Sequence, residues 1–403
     1  MTNSRIQAKK EKRVKKTPKK KKSRLALKVF LIVIALMLVS GGAYAYYLYK
    51  QGEKAANKAY DNENEREKSD LRTEKVEPLK DNISILFVGI DDSEKREQGT
   101  DHSRSDALML ATLNNKDKSV KLLSIPRDSY VYIPYVGYQD KITHAHAYGG
   151  TQATIDTVEN LLNVPVDYYY RLNFDAFIQI VDALGGIEVK VPYALHELDE
   201  NDKRTINLKP GKQVLNGSEA LALARTRHQD SDIQRGERQQ MILKAIIKKA
   251  SSVSSFTKYD DILEAIGNNM KTNMTFGEMK SLAAYVKNGM PKVKSLSLKG
   301  NDDMSTGVYY YKLDENGLAE TRQVLQKQLG ISDSDLNKTN QQTDNNTNQQ
   351  NNNNQQNNTN QQNTNNQQQN TNQQNNNAGN NNAGYQSGST NNYSGSYNSG
   401  GNQ

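Results

Sequence analysis

Residues 83–90 read Ile-Ser-Ile-Leu-Phe-Val-Gly-Ile and run directly into Asp91-Asp92. A short, almost uninterrupted apolar run of this length is the signature of a strand buried on both faces, which places it inside a sheet covered on both sides. Ala107–Leu113, Val120–Ile125, Tyr168–Leu172 and Ile187–Val191 read as further strands. Helical spacing occupies the stretches between and after them. Thr151–Leu162 carries apolar Ala153, Ile155, Val158, Leu161 and Leu162 and stops before Pro165. Phe174–Leu184 ends at Gly185-Gly186, Ser218–Arg225 begins on a capped Ser-Glu-Ala turn, and Gly236–Ser252 forms a long helix. Tyr259–Met270 and Thr275–Val286 complete the set. Strands alternating with helices define an α/β sandwich around a mixed central sheet.

The flanks have a different composition. The chain has 403 residues, a formal charge of +8 and no Cys, so disulfide scaffolds and thiolate metal sites are excluded. Residues 1–28 hold thirteen Lys or Arg against one acid, Glu11, a local charge of +12; the other 375 residues hold 40 bases and 44 acids, or −4. Val29–Leu48 follows, twenty residues without a charge, about 30 Å as a helix and so long enough to cross a bilayer. Tyr44, Tyr46, Tyr47 and Tyr49 suit its interfacial end. A basic flank stays cytoplasmic, which places everything after it outside the cell and makes the positive charge a signal of orientation and lipid attraction, with no nucleic-acid partner. Residues 49–80 read as a solvated, charged stalk. Residues 81–330, about 250, suit one α/β domain. In 331–403, 32 of the 40 residues from 341 to 380 are Asn or Gln, which predicts a disordered tail.

The chemistry-bearing residues fall at the predicted strand ends and helix starts, where sites form in α/β folds. Asp91-Asp92 ends the first strand, Ser103-Arg104-Ser105-Asp106 precedes the second, and Pro126-Arg127-Asp128 follows the third. Ala224-Arg225-Thr226-Arg227-His228 and Asp232-Ile233-Gln234-Arg235-Gly236-Glu237-Arg238-Gln239-Gln240 come later. Arg is always charged and presents a planar fork that grips phosphate oxygens in pairs. Several Arg with two carboxylates point to a pyrophosphate and a divalent metal, since Mg²⁺ accepts carboxylate, phosphate and water oxygens. His144 and His146 read as packing or polar residues rather than ligands. Neither a Gly-x-x-x-x-Gly-Lys-Ser/Thr loop nor a Gly-x-Ser-x-Gly elbow occurs, which argues against nucleotide-dependent phosphoryl transfer and serine hydrolysis.

In order along the chain, Gly89-Ile90-Asp91, Arg104-Ser105-Asp106, Ser124-Ile125-Pro126-Arg127-Asp128, Lys141-Ile142-Thr143-His144-Ala145, Tyr148-Gly149-Gly150, Asp182-Ala183-Leu184-Gly185-Gly186-Ile187, Ala224-Arg225-Thr226-Arg227 and 232–240 resemble the motifs of the LytR-CpsA-Psr family of bacterial cell-envelope proteins. The Asn/Gln-rich tail is similar to an extension of some staphylococcal members. The resemblance implies an α/β/α sandwich with an apolar pocket for a polyprenyl chain, on a single-pass protein of a Gram-positive cell membrane. It implies a phosphotransferase that moves a glycopolymer, wall teichoic acid or capsular polysaccharide, from undecaprenyl pyrophosphate to a muramic acid hydroxyl of peptidoglycan.

Carried over by position, Asp91 and Asp106 would hold Mg²⁺ or Mn²⁺, with Asp92 the alternative first ligand. Arg104, Arg225 and Arg227 would bind the pyrophosphate and Arg127 would support it. Arg235, Arg238 and Gln239 would complete the phosphate site, and Lys141 would touch phosphate or sugar. Asp232 is the candidate general base. Leu/Ile/Val-rich segments between Ile155 and Ile187 are candidate walls of the lipid pocket. Two other readings stay open: a pyrophosphatase acting on polyprenyl pyrophosphates, and a non-catalytic wall-binding or regulatory protein.

Overall fold

The computed structural model describes residues 22–61, 66–91, 103–227, 231–251, 267, 269–287 and 291–332, with side chains described for all but 22–39 and 283–287. In chain order the elements are α1 (Lys22–Ala59), β1 (Ile83–Ile90), β2 (Ser105–Asn114), β3 (Ser119–Ile125), β4 (Tyr130–Ile133), β5 (Tyr138–Lys141), α2 (His144–Leu162), β6 (Tyr168–Asn173) and α3 (Phe174–Ala183). They continue with β7 (Ile187–Val191), β8 (Leu195–Glu197), β9 (Ile206–Leu208), β10 (Gly211–Leu215), α4 (Gly217–Arg225), α5 (Asp232–Ala250), β11 (Met270–Thr272), α6 (Phe276–Lys287), β12 (Lys292–Ser297), β13 (Gly300–Asp303), β14 (Tyr310–Leu313) and α7 (Glu315–Leu329).

The run 83–90 is β1, and it lies inside a six-stranded mixed sheet of order β11-β6-β1-β2-β3-β12. It pairs antiparallel with β2 and parallel with β6. Because a strand turns alternate side chains to opposite faces, both faces of β1 are covered. Leu86, Val88 and Ile90 join Ile155, Val158 and Leu162 of α2 and Leu318, Leu325 and Leu329 of α7 in one apolar layer. Ile83, Ile85 and Phe87 join Leu243 of α5 and Met279 and Leu282 of α6 on the other. A third cluster gathers α3, α4 and β7–β10 around Val181, Ile187, Val189 and Leu223.

Helix ends explain where the sequence reading of boundaries departs from the structure. The helix expected from Thr151 begins at His144, and its two parts meet at a kink where Gly150 takes a φ of 63°. The cap of α4 is Asn216, whose side chain accepts from Glu219 N while the Glu219 carboxylate accepts from Asn216 N; Ser218 is not the cap. Helix α5 starts at Asp232, after a Ser231/Gln234 capping box, and not at Gly236. Gly236 lies inside the helix because α5 crosses β3 there: a Cβ would collide with Ser124 Oγ and come within 2.9 Å of Ser124 Cβ. Gly236→Ala is therefore expected to destabilise the domain by roughly 1–3 kcal/mol, and Ser124→Gly in the same chain to recover part of the loss, as read by urea denaturation. Of the helix expected over 259–270, residues 259–266 and 268 lie outside the described residues, and Met270 opens β11.

Within 49–80, the expected solvated stalk, several residues pack against the domain. Ala55, Ala56 and Ala59 at the end of α1 are buried, and Asp61 N donates to Thr272 O over 2.8 Å. Arg66 Nη2 donates to both Glu159 carboxylate oxygens, at 2.7 and 2.6 Å, and Arg72 grips Asp167 with two nitrogens, Nε and Nη2, at 2.9 and 2.8 Å. A local reading of charge density cannot see that its partners lie more than 90 residues downstream. Among the described residues no helix is long and apolar enough to cross a membrane. Residues 29–39 of the expected span lie outside the described side chains, as do nearly all of 1–28 and of the 331–403 tail.

Candidate active site

Opposite the α2–α7 layer, a cavity of about 790 Å³ opens between the sheet and α3, α4 and α5. Its interior is apolar: Phe87 and Met109 from the sheet, Tyr170 and Leu172 from β6, Phe174, Phe177 and Ile180 from α3, Leu221 from α4, Ile242, Leu243 and Ile246 from α5, and Met270 and Met279. Apart from Asn173, its polar lining comes from Asp91, Arg104, Asp106, Arg127, Arg225, Arg227, Arg235 and Gln239. These eight were all singled out from the sequence. They converge because β1, β2 and β3 end side by side, with Ile90 paired to Ser105 and Leu108 to Ile125, while α4 and α5 deliver their ends to the same place.

The guanidinium groups are held at different depths. Arg225 stacks over the Phe174 ring at 4.7 Å. Arg127 is ion-paired to Asp106 and lies 3.4 Å from Asp128 Oδ2. Arg235 is buried and reaches Asp232 Oδ1 at 3.1 Å. Arg227 is the most exposed of these four, 39% at the side chain, and sits 3.8 Å from Asp128 and 3.7 Å from Asp232. A shallow, weakly tied guanidinium beside deep, firmly tied ones fits an anion that arrives from solvent.

Asp128 was quoted in a motif but not assigned a role, and it proves to be the hub. Lys141 Nζ lies 3.0 Å from its Oδ1, with Arg127 and Arg227 on its Oδ2 side. Burial works against its charge, yet the Lys141 and Arg127 cations outweigh that and hold the Asp128 carboxyl below its ordinary value. Asp232 goes the other way. Burial pushes its carboxyl up, Arg235 opposes the shift, and the Asp128 charge reinforces it. Asp232 Oδ2 is buried, and among the described residues no donor hydrogen-bonds to it. Of two neighbouring carboxyls, Asp232 is thus the one poised to take a proton. The sequence signal for the hub was the Arg127-Asp128 pair at a strand end, read for its Arg alone.

Three expected roles change or narrow. Arg238 does not line the cavity: it is buried, and its guanidinium donates to the Leu223 carbonyl at 2.9 Å and to the Thr226 carbonyl at 2.5 Å, which ties α5 to the end of α4. Lys141 is engaged with Asp128 and lies over the Tyr309 and Tyr310 rings at 5.8 and 5.6 Å. Of the segments between Ile155 and Ile187, only those around Tyr170 to Ile180 wall the cavity; Ile155, Val158, Leu161 and Leu162 pack in the opposite layer. His144 bonds Asp140 at 2.7 Å and His146 bonds the Ser103 carbonyl at 2.8 Å, both structural contacts.

Asp91 and Asp106 are the carboxylates of the cavity lining. Among the described residues no group of three or more His, Asp or Glu is placed to hold a metal by itself. Two carboxylates beside a phosphate site suit Mg²⁺, which takes its remaining ligands from phosphate and water. Asp92 lies outside the described residues.

The α/β sandwich thus joins an apolar cavity to a polar end formed by Arg and Asp side chains. The LytR_cpsA_psr family model matches residues 46–327, and the chain belongs to that family. It is 46% identical over 310 residues to an uncharacterized protein of Staphylococcus aureus, covering 76% of each chain. It is 40% identical over 323 residues to the polyisoprenyl-teichoic acid–peptidoglycan teichoic acid transferase TagT of Bacillus subtilis, covering 80% of this chain and all of that one. Among solved structures it is similar to the LytR-CPS2A-psr family protein YwtF (TagT) with bound octaprenyl pyrophosphate lipid, with a TM-score of 0.55 and 38% identity over 66% of this chain and 98% of that one.

Proposed function

We propose that this chain is a membrane-anchored phosphotransferase that moves a glycopolymer from undecaprenyl pyrophosphate to a muramic acid hydroxyl of peptidoglycan. The observation that carries the reading is the union of a 790 Å³ apolar cavity with five guanidinium groups in one space. A polyprenyl chain fills the first and its pyrophosphate meets the second. The relative named as a teichoic acid transferase, and the family structure that holds octaprenyl pyrophosphate, support it. Wall teichoic acid is the first polymer class to test and capsular polysaccharide the second. Residues 29–48 would anchor the chain, with 1–28 in the cytoplasm and the domain outside.

The chemistry follows from the residues. Arg104, Arg225, Arg227 and Arg235 neutralise the nonbridging oxygens, and Arg127 braces Asp106 among them. Asp232 accepts the proton of the acceptor hydroxyl as that oxygen attacks the sugar-side phosphorus. The bond from this phosphorus to the bridging oxygen breaks, and the lipid monophosphate leaves. The pyrophosphate is already an activated donor, so no nucleotide is needed. Asp91 and Asp106 would hold Mg²⁺ or Mn²⁺, which would add positive charge beside the phosphates.

Purified full-length protein with lipid-linked polymer and peptidoglycan oligomers is expected to yield coupled product. Polymer phosphate released without acceptor would instead indicate a pyrophosphatase, and no turnover at all a binding protein.

The pH dependence of transfer checks the base. Asp232 acts only when ionised, and its carboxyl is raised above 3.8, so activity is expected to climb with pH through an acid limb above the ordinary aspartate range. Asp128→Asn removes the neighbouring negative charge and should move that limb to lower pH. In stability the sign is opposite: between 3.8 and its native value the folded state keeps a proton the unfolded chain has lost, so the contribution of Asp232 declines as pH rises through that window.

A further inference from the structure

Two hairpins beside the candidate site carry tyrosines outside the core, Tyr132 exposed and Tyr130, Tyr309 and Tyr310 half-buried. In β4 the alternation turns Val131 and Ile133 into the core and Tyr130 and Tyr132 outward. Tyr130 lies opposite Lys141 and Tyr132 opposite Gln139 on β5, and directly opposed residues share a face, so the four side chains form one outer surface. The second hairpin adds Tyr309 and Tyr310, with the Tyr310 ring 4.7 Å from that of Tyr130. Tyr132 is 44% exposed, although a ring of that size gains nothing for the core in that position.

This surface is continuous with the reacting centre. Tyr311 N donates to the Asp128 carbonyl at 2.9 Å, which fixes the second hairpin to the hub residue. Lys141 spans the join, 3.0 Å from Asp128 and 5.6 Å from the centre of the Tyr310 ring. A molecule lying on the tyrosines therefore reaches the Asp128–Asp232 carboxyl pair from the side away from the apolar cavity.

The charge around the rings selects the occupant. Asp140 accepts from Tyr148 at 2.6 Å, Asp302 accepts from the Tyr309 hydroxyl at 2.8 Å, and Asp303 is paired to Lys312 at 2.7 Å. Among the described residues the cations beside these rings, Lys141 and Lys312, are already engaged by Asp128 and Asp303. A phosphate-rich polymer would meet these carboxylates without cations to spare. An uncharged sugar chain would not. Its C–H faces stack on phenol rings, and its hydroxyl and acetamide groups match the phenol oxygens and the Gln139 amide.

We infer that Tyr130, Tyr132, Tyr309 and Tyr310, with Gln139 and Lys141, form a ledge that binds the hexopyranose chain of the acceptor and presents its hydroxyl to Asp232. This rests on the transferase reading for the identity of the acceptor, while the ledge itself is tested by direct binding. The experiment uses the full chain in detergent with unbranched N-acetylglucosamine–N-acetylmuramic acid oligomers whose lactyl carboxyls are capped as amides, and so uncharged, as probe. Binding is read by calorimetry without donor, and transfer kinetics are read with lipid-linked donor.

Tyr132→Ala and Tyr310→Ala are each expected to weaken oligomer binding and raise the acceptor KM about tenfold, with kcat and donor affinity unchanged. Tyr132 is exposed enough that its variant will fold even if the Tyr310 variant does not. Unchanged oligomer affinity in Tyr132→Ala overturns the ledge. So does a loss of donor affinity in place of acceptor affinity, or a change in oligomeric state with glycan binding intact, which would make the patch a contact between copies. Wild-type protein that binds oligomers on the ledge yet transfers nothing would overturn the proposed function and leave the ledge standing.

Discussion

Arg227→Ala is expected to slow transfer on the order of 10²–10³-fold while the domain keeps its melting temperature. The first half follows from charge: a guanidinium that meets charge developing on phosphate oxygens contributes about 2–4 kcal/mol to the transition state. The second half follows from how loosely the side chain is tied. It is 39% exposed, and its carboxylate neighbours stand at 3.7 and 3.8 Å, beyond a hydrogen bond. Arg227→Lys should recover little, because an ammonium cannot reproduce the two-pronged fork. Arg238→Ala supplies the contrast. That guanidinium is buried against the carbonyls of Leu223 and Thr226, so its loss should lower stability and activity together. Steady-state transfer rates and thermal denaturation, measured on the same preparations, separate the two. A rate in Arg227→Ala within threefold of wild type would sink the site assignment.

The second large effect lies far from the cavity. Glu159 of α2 accepts from Arg66 at 2.7 and 2.6 Å, from Ser69 Oγ at 2.6 Å and from Val166 N at 2.6 Å. Its side chain is 9% exposed and that of Arg66 is 13% exposed. Truncation by Glu159→Ala removes the main partner of a nearly buried guanidinium and leaves Arg66 with the longer Asp156 contact at 3.9 Å, a change that costs roughly 3 kcal/mol. Two local consequences follow. The segment from Arg66 to Arg72 loses its anchor to α2, and proteolysis should begin there. Glu159→Gln keeps the shape and part of the hydrogen bonding and should be milder. Urea denaturation and timed trypsin digestion check both; cleavage elsewhere first would show that this clamp is not what holds the segment down.

The two sites were legible from the sequence to different degrees, for one physical reason. Arg104, Arg127, Arg225 and Arg227 could be singled out because each falls in a short motif at a strand end or a helix end, where local pattern and chemistry coincide. The Glu159 clamp could not be, since nothing near Arg66 in the chain hints at a carboxylate 93 positions away. Arg238 shows the reverse error. It sits among site residues in the motif at 232–240, but the turn of α5 carries it to the carbonyls of α4 and away from the cavity that Arg235 and Gln239 line. A motif records which residues travel together, not which face of the helix each one occupies.

What the sequence determined by itself was the architecture and the chemical character. The apolar run at 83–90 pointed to a strand covered on both faces, and the Arg-rich strand ends pointed to an anion-binding site. Both properties live in local periodicity and side-chain type, which need no partner to be read. The tertiary structure alone decided which carboxyl is held down and which is pushed up, because the order of Asp128 and Asp232 depends on Lys141, Arg127 and Arg235 reaching them from separate elements. It alone placed the apolar wall of the cavity, drawn from β1, β2, β6, β11, α3, α4, α5 and α6 rather than from one segment. It also brought Tyr310 against Tyr130, two residues 180 positions apart that meet only because both hairpins are pinned to the same edge at Asp128 and Ser129.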